Sequence, residues 1–247
     1  MRYLFVSPKL LNDNPVRIEG PDCHHLLNVL RIRVGEQLAL LDGDGNACSA
    51  EVEAVEKRAV VARVCGPMAI APEPRARITV AQALGKGDKF EQVVQHGTEA
   101  GATAFLPLLT ERTVVRLDAK AGEEKRARWR LIAKGAAEQA HRGRIPAIEP
   151  AATLDTLTEQ FDAYTHVLLL HPVGEPLRTV LTETPIEASD LSILLLIGPE
   201  GGFSPAELTA ASQAGARIVT LGPFVLRTET AALVAVSQTL YHFDSAS

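Results

Sequence analysis

Residues 191–197 (LSILLLI) form an unbroken apolar run that stops at Gly198-Pro199-Glu200-Gly201-Gly202. So short a run suits a strand covered on both faces. Three glycines and a proline in the next five residues bar helix and ladder alike, and they let backbone N–H groups reach a ligand with no Cβ in the way. Ser204-Pro205-Ala206-Glu207 then reads as a helix start. Ser204 serves as N-cap, Pro205 sits where its missing N–H costs nothing, and Glu207 closes a capping box. Gly215 ends that helix, and the pattern repeats at once: a strand over 217–221 (RIVTL), a loop over 222–230 (GPFVLRTET), and a closing helix from about residue 231. Leu233, Val236, Leu240 and Phe243 share one face of it. Two glycine-bearing loops leaving neighbouring parallel strands flank one crevice at the strands' carboxyl ends, the usual ligand position in an open α/β sheet.

Upstream, strands are predicted over 77–84, 103–109 and 167–170, with helices over about 85–100 and 125–141. Trp129, Ile132, Ala133 and Ala136 form the inner stripe of the second helix, and His171-Pro172-Val173-Gly174 reads as a loop. This alternation implies a mostly parallel sheet with helices on both faces. Gly85-Lys86-Gly87-Asp88-Lys89-Phe90 stands where a dinucleotide fingerprint would stand, but Phe90 replaces its third glycine and opposes close packing. Lys86 and Lys89 are instead read as meeting a phosphate.

The first seventy residues differ in kind. Strands are predicted over 3–6, Val16–Glu19, Gln37–Leu41, Ala47–Val55 and 59–64, with one helical stripe over 21–31 and a hairpin loop over 42–46 (DGDGN). That pattern suits a small, partly open β-barrel. Three prolines over 66–77 mark a linker, so domains are expected at 1–72 and 73–247. His24 and His25 are helical neighbours about 100° apart, a poor arrangement for one metal ion. A structural or RNA-facing role is read for them.

Cys23, Cys48 and Cys65 are odd in number and widely spaced, so neither a disulfide framework nor a cysteine metal site is expected. No apolar run approaches a membrane span, and the first residues are too brief for a signal sequence, which leads to an expectation of a cytoplasmic protein. The net charge of −5 speaks against a nucleic-acid partner, but its distribution does not. Residues 120–144 carry eight Lys or Arg against three acids, whereas residues 145–200 carry nine acids and only Arg178. Local asymmetry governs contacts with phosphate under physiological screening, although a solvated helix face would look the same.

IGPEGGFSPAE together with LGPFVLRTETA resembles the cofactor-binding signature of the SPOUT superfamily of S-adenosylmethionine-dependent RNA methyltransferases. More narrowly, HHLLNVLRIRVGE, KFEQVVQHGTEAGATAFLPLLTERTVV and AAEQAHRGRIP, in that order, are similar to the bacterial 16S ribosomal RNA uracil-N3 methyltransferase family. The resemblance implies an α/β fold: a SPOUT-type knotted, mostly parallel sheet preceded by a small PUA-like RNA-binding β-barrel. It further implies a homodimer, S-adenosylmethionine as cofactor, no metal, and methylation of N3 of a uridine in 16S RNA within an assembled 30S subunit.

Carried onto this sequence, the resemblance puts Leu170, His171, Ile197, Gly198, Glu200, Gly201, Gly202, Leu221, Gly222, Leu226, Thr230 and Ala231 around the cofactor. His25, Arg31, Lys86, Lys89, Arg112, Glu138, Gln139, Arg142 and Arg144 fall on the RNA side. His171 reads equally as a loop histidine satisfied by its neighbours.

Uracil N3–H is weakly acidic, so its loss calls for a base or for a cation that stabilises the anion formed. Arg227 is the candidate cation. Glu200 and Glu229 are either bases or loop struts, with the strut favoured for Glu229 at a helix start. Two rivals stay open: an RNA-binding or ribosome-assembly factor without catalysis, and a SPOUT enzyme of another specificity such as tRNA ribose 2′-O-methylation.

Overall fold

The computed structural model describes residues 1–113, 119–184 and 191–244. Val114 and Val115, which end one of the motifs above, lie outside these. The chain divides into two compact units, Met1–Glu73 with Ala137–Ile145, and Pro74–Ala136 with Pro146–Ser247. The break at Glu73/Pro74 falls in the proline-rich linker. Residues 137–145 join the first unit although they lie far along the chain, which a linear boundary cannot express.

In the first unit β1 (Arg2–Phe5), β2 (Val16–Glu19), β3 (Gln37–Leu41), β4 (Ala47–Val55) and β5 (Ala59–Pro67) form one sheet in the order β1-β3-β4-β5-β2. Only β1 and β3 pair in parallel. The sheet turns at 42–46, where Asp42 Oδ1 accepts from the Asp44 and Asn46 N–H groups at 2.8 and 3.0 Å while Gly43 and Gly45 take positive φ. The predicted helix over 21–31 is a short α1 (Gly20–His24) continued by a π-helical turn (His25–Val29). Leu4, Ile18, Leu26, Leu38, Leu40 and Val60 are fully buried in the unit's main core. Ala137 joins a second, smaller core with Phe5, Leu41 and Ala47.

The second unit holds β6 (Arg77–Ala83), α2 (Lys89–Ala100), β7 (Ala104–Leu109), most of α3 (Ala119–Gln139), β8 (Ala147–Ile148), β9 (Ala152–Thr153), α4 (Leu154–Thr158), β10 (His166–Pro176), α5 (Leu177–Leu181), β11 (Ser192–Ile197), α6 (Pro205–Gln213), β12 (Arg217–Thr220) and α7 (Thr228–Asp244). The strands run in the order β12-β10-β11-β6-β7-β8, with β9 also on β7, and every pairing among the described residues is parallel. Leu194 and Leu196 of β11 join a core with Leu154, Leu157 and Ala211 from α4 and α6. Alternation turns Ile193 and Leu195 to the opposite face, where α7 packs on β11, β6 and α2. The chain therefore returns from edge strand β12 to the middle of the sheet, the path that the expected knot requires. Gly97 lets α2 lie close to the sheet, since a Cβ there would come within 2.6 Å of the Phe105 ring.

Two sequence expectations change. Residues 171–174 are not a free loop: β10 continues to Pro176, and its pairing with β12 jumps from Leu170↔Val219 to Glu175↔Val219, so that His171 to Gly174 bulge out of a continuing ladder. The closing helix starts at Thr228, and its buried face is Ala232, Ala235, Val236, Thr239, Leu240 and Phe243, with Leu233 only partly covered.

Candidate functional site

The second unit opens a cleft of about 730 Å³ at the carboxyl ends of β10, β11 and β12. Its walls come from the bulge in β10, the loop after β11, the loop after β12 and the start of α7. Each wall has a local cause. Ser204 accepts from the Glu207 N–H at 3.2 Å and Glu207 Oε2 accepts from the Ser204 N–H at 2.8 Å, so the predicted capping box closes and ends the glycine loop. The other Glu207 oxygen accepts from the Glu111 N–H at 2.8 Å, and Arg112 Nη1 donates to the Gly201 carbonyl at 2.5 Å. The turn after β7 is thereby strapped to the glycine loop. At Gly198 a Cβ would press on the Phe203 ring at 3.1 Å and on Gly202 at 3.3 Å, and Gly202 has a φ of +67°. At Gly174 a Cβ would strike backbone at 2.7 Å, because the bulge lies directly on β12. Arg217 of β12 grips Glu175 through two hydrogen bonds of 2.7 and 2.6 Å and also pairs with Glu183, which locks the bulge in register.

Of the residues assigned to a cofactor, Leu170, His171, Ile197, Gly198, Glu200, Gly201, Gly202, Leu221, Leu226 and Ala231 line this cleft, whereas Gly222 and Thr230 do not. His171 Nδ1 lies 3.1 Å from the Val173 N–H and 3.3 Å from the Val173 carbonyl, so the bulge itself satisfies that ring nitrogen. Lys89, read from the sequence as a phosphate ligand, also lines the cleft. It donates to Glu200 and lies 3.9 Å from Glu229. That hydrogen bond holds the Glu200 carboxyl below its ordinary range and raises the Lys89 ammonium above its own. Glu200 is therefore a poor proton acceptor near neutral pH and a good strut. Glu229 accepts from the Thr228 hydroxyl at 3.2 Å in the first turn of α7. Arg227 lines the cleft, is exposed, and pairs with no carboxylate among the described residues.

The RNA-side assignments scatter. His25, Arg31, Lys86, Gln139 and Arg144 are exposed, and Arg112 is the strap on Gly201. Arg142 is only 9% exposed and pairs with Glu73, so it anchors the first unit and offers RNA no surface. Glu138 likewise accepts from the Phe5 N–H at 2.9 Å. Much of the basic run on α3 is also committed: Arg126 donates to the Ile148 carbonyl, Arg128 pairs with Glu91 and Arg130 with Glu123. Sequence reasoning missed Pro172, Pro199, Phe203, Val219, Thr220, Phe224, Val225 and Thr228 as cleft residues. Phe224 and Val225 stood inside the quoted loop motif. Phe203 stood inside the motif IGPEGGFSPAE, and Val219 and Thr220 in the strand RIVTL, none of them with a chemical signal of its own.

Among the described residues no helix is long and apolar enough to cross a membrane, and no group of three or more His, Cys, Asp or Glu is placed to hold a metal.

Residues 71–240 match the RNA methyltransferase domain family, and residues 18–65 match the RNA methyltransferase PUA domain family. The chain is 34% identical to the ribosomal RNA small subunit methyltransferase E of Bacillus subtilis, covering 92% of this chain and 90% of that one. It is 38% identical to the protein of the same name from Mycobacterium bovis over 89% and 83% of the two chains. The crystal structure of ribosomal RNA small subunit methyltransferase E from Neisseria gonorrhoeae bound to S-adenosyl methionine superposes with a TM-score of 0.83 at 30% identity, covering 96% of each chain.

Proposed function

Since this chain belongs to the RNA methyltransferase family that carries a PUA domain, we propose that it methylates N3 of a uridine in small-subunit ribosomal RNA, using S-adenosylmethionine and giving 3-methyluridine. The single observation that carries the reading is the cleft itself: three strand-end walls converge where the relatives' activity calls for a nucleoside-sized ligand. Leu170, Ile197, Leu221, Leu226 and Ala231 supply apolar walls for an adenosine, and a Cβ at Gly198 would crowd Phe203 and Gly202. The residues present fit the cofactor.

When bound, S-adenosylmethionine supplies a methyl group activated by its sulfonium. The chain's own work is to orient and to manage charge. Lys89, held by Glu200, keeps the loops after β6 and β11 together. Arg227, which pairs with no carboxylate among the described residues, stabilises the negative charge that collects on the uracil carbonyls as N3 gives up its proton to solvent. The target base has to be unpaired or flipped, because N3 lies on the Watson–Crick edge.

The substrate is the assembled small subunit, which places the enzyme in the cytoplasm. Phe224 and Val225 are each 82% exposed on the walls of the site, as is Val173 in the bulge beside it, and a second copy of the chain covering them would complete the site. The test is transfer of labelled methyl to small subunits that lack the modification, followed by digestion to nucleosides. 3-Methyluridine is expected. A 2′-O-methyl nucleoside would overturn the specificity, and RNA binding with no incorporation would overturn the enzyme.

A further inference from the structure

Among the described residues, three helices end in the same hydrogen-bonded turn. After α2, the Gly101 N–H donates to the Thr98 carbonyl and the Ala102 N–H to the Gly97 carbonyl; after α6, Gly215 and Ala216 do the same to Ser212 and Ala211. After α3, the His141 N–H donates to Glu138 at 3.3 Å and the Arg142 N–H to Ala137 at 2.9 Å. The turn residue is left-handed in all three, with φ of 106°, 104° and 58°. Glycine is the usual residue there because a Cβ crowds the following carbonyl. The chain uses glycine twice and histidine once, accepting at His141 a strain that glycine would remove. Such an outlier points to a use for the side chain.

The ring shows what that use is. It stacks flat on Tyr3, with centroids 3.8 Å apart and planes at 12°, and His141 is exposed. The turn that presents it is fastened from several sides within the first unit: Glu138 accepts from the Phe5 N–H, buried Arg142 pairs with Glu73, and Gly143 leaves no space for a Cβ beside Ile70. Arg144 follows, exposed, lying along Gly45 and paired with no carboxylate among the described residues. A rigid, strained platform beside an uncommitted guanidinium has the makings of a single-stranded nucleic-acid subsite, where a base stacks on the ring and a phosphate meets the cation.

We infer that Tyr3 and His141 form a stacking platform for one unpaired RNA base, with Arg144 binding the adjoining phosphate. The site lies in the first unit, apart from the methyl-transfer cleft of the second, and it rests on the reading that this chain acts on RNA.

The test uses the full chain and a fluorescein-labelled single-stranded RNA of mixed sequence, about ten nucleotides long to span such a site, read by anisotropy. His141→Gly and His141→Asn remove the ring while suiting the left-handed backbone, and His141→Phe keeps a ring. Loss of one stacked base lowers affinity about fivefold to a hundredfold, so the first two variants are expected to weaken binding by that factor and His141→Phe to restore it. Arg144→Ala is expected to flatten the salt dependence by about 0.7 in the log–log slope, as for one phosphate of a single strand.

A ring with only a structural role would lower the thermal midpoint of His141→Gly and leave RNA affinity unchanged in the folded variants. That result overturns the site. Wild-type protein that binds the RNA yet methylates no subunit would refute the proposed reaction and leave the site standing. Methylation by the wild type, with an RNA affinity indifferent to residue 141, would do the reverse.

Discussion

Lys89, at the first turn of α2, donates to Glu200 in the loop after β11, so two loops that leave different strands are joined by charge inside the cleft. The pair leaves Glu200 ionised and Lys89 protonated over a wide range. A lowered carboxyl contributes its pairing above its ordinary value of ~4.3 and loses it as pH falls through the folded value; a raised ammonium contributes below ~10.4 and loses it as pH rises through the folded value. Cofactor affinity, measured by calorimetry, is therefore expected to be flat from about pH 5.5 to 9 as far as this pair is concerned, and Glu200→Gln to weaken it across that range. A wild-type affinity that rises or falls through neutrality would show that another group governs the loop.

Arg227→Ala removes a cleft cation that pairs with no carboxylate among the described residues. Loss of one preorganised charge donor lowers turnover about a hundredfold to a thousandfold, and that is the expected fall in single-turnover methyl transfer. Cofactor affinity should change far less, because the adenosine walls are untouched. Unchanged turnover would remove Arg227 from the mechanism.

Gly174→Ala places a methyl against the backbone of Ile218 and Val219, at 2.7 to 2.9 Å. Backbone in a ladder cannot move aside as a side-chain tip can. Overpacking of this kind costs about 1–3 kcal/mol, so the thermal midpoint should drop by several degrees and cofactor binding should weaken with it. A variant as stable as the wild type would mean that the bulge can shift at little cost.

Arg217→Ala releases Glu175 and Glu183 and with them the register of the bulge. Because these side chains are a third to a half exposed, the direct effect on stability should be small. The larger effect should be a raised KM for the cofactor with kcat little changed, partly rescued by Arg217→Lys. The pairing with Arg217 holds the Glu183 carboxyl below its ordinary range. Its share of stability is thus present above that range and fades as pH falls, so the melting difference between wild type and variant should close below about pH 4. A difference that persists in acid would assign the loss to packing instead.

Much of the fold was legible because its causes are local. The apolar run at 191–197, the capping box at Ser204 and Glu207, the turn glycines and the alternation in Ala47–Val55 each act over a few residues, and each forms as read. The two glycine loops were legible for the same reason, and ten of the twelve residues placed around the cofactor line the cleft.

What tertiary structure alone decided is where each charge and each ring is spent. Lys89 and Arg142 look alike in the sequence as cations on the RNA side, yet one lines the cleft beside Glu200 and the other is buried against Glu73. Residues 171–174 read as a loop because proline and glycine break patterns locally, while the pairing of Glu175 with Val219 that makes them a bulge spans more than forty positions. Contacts between segments so far apart depend on how the sheet closes around them, and no periodicity within either segment records that. Local sequence therefore determined the elements and the loops, and long-range packing chose the partners that turn them into a site.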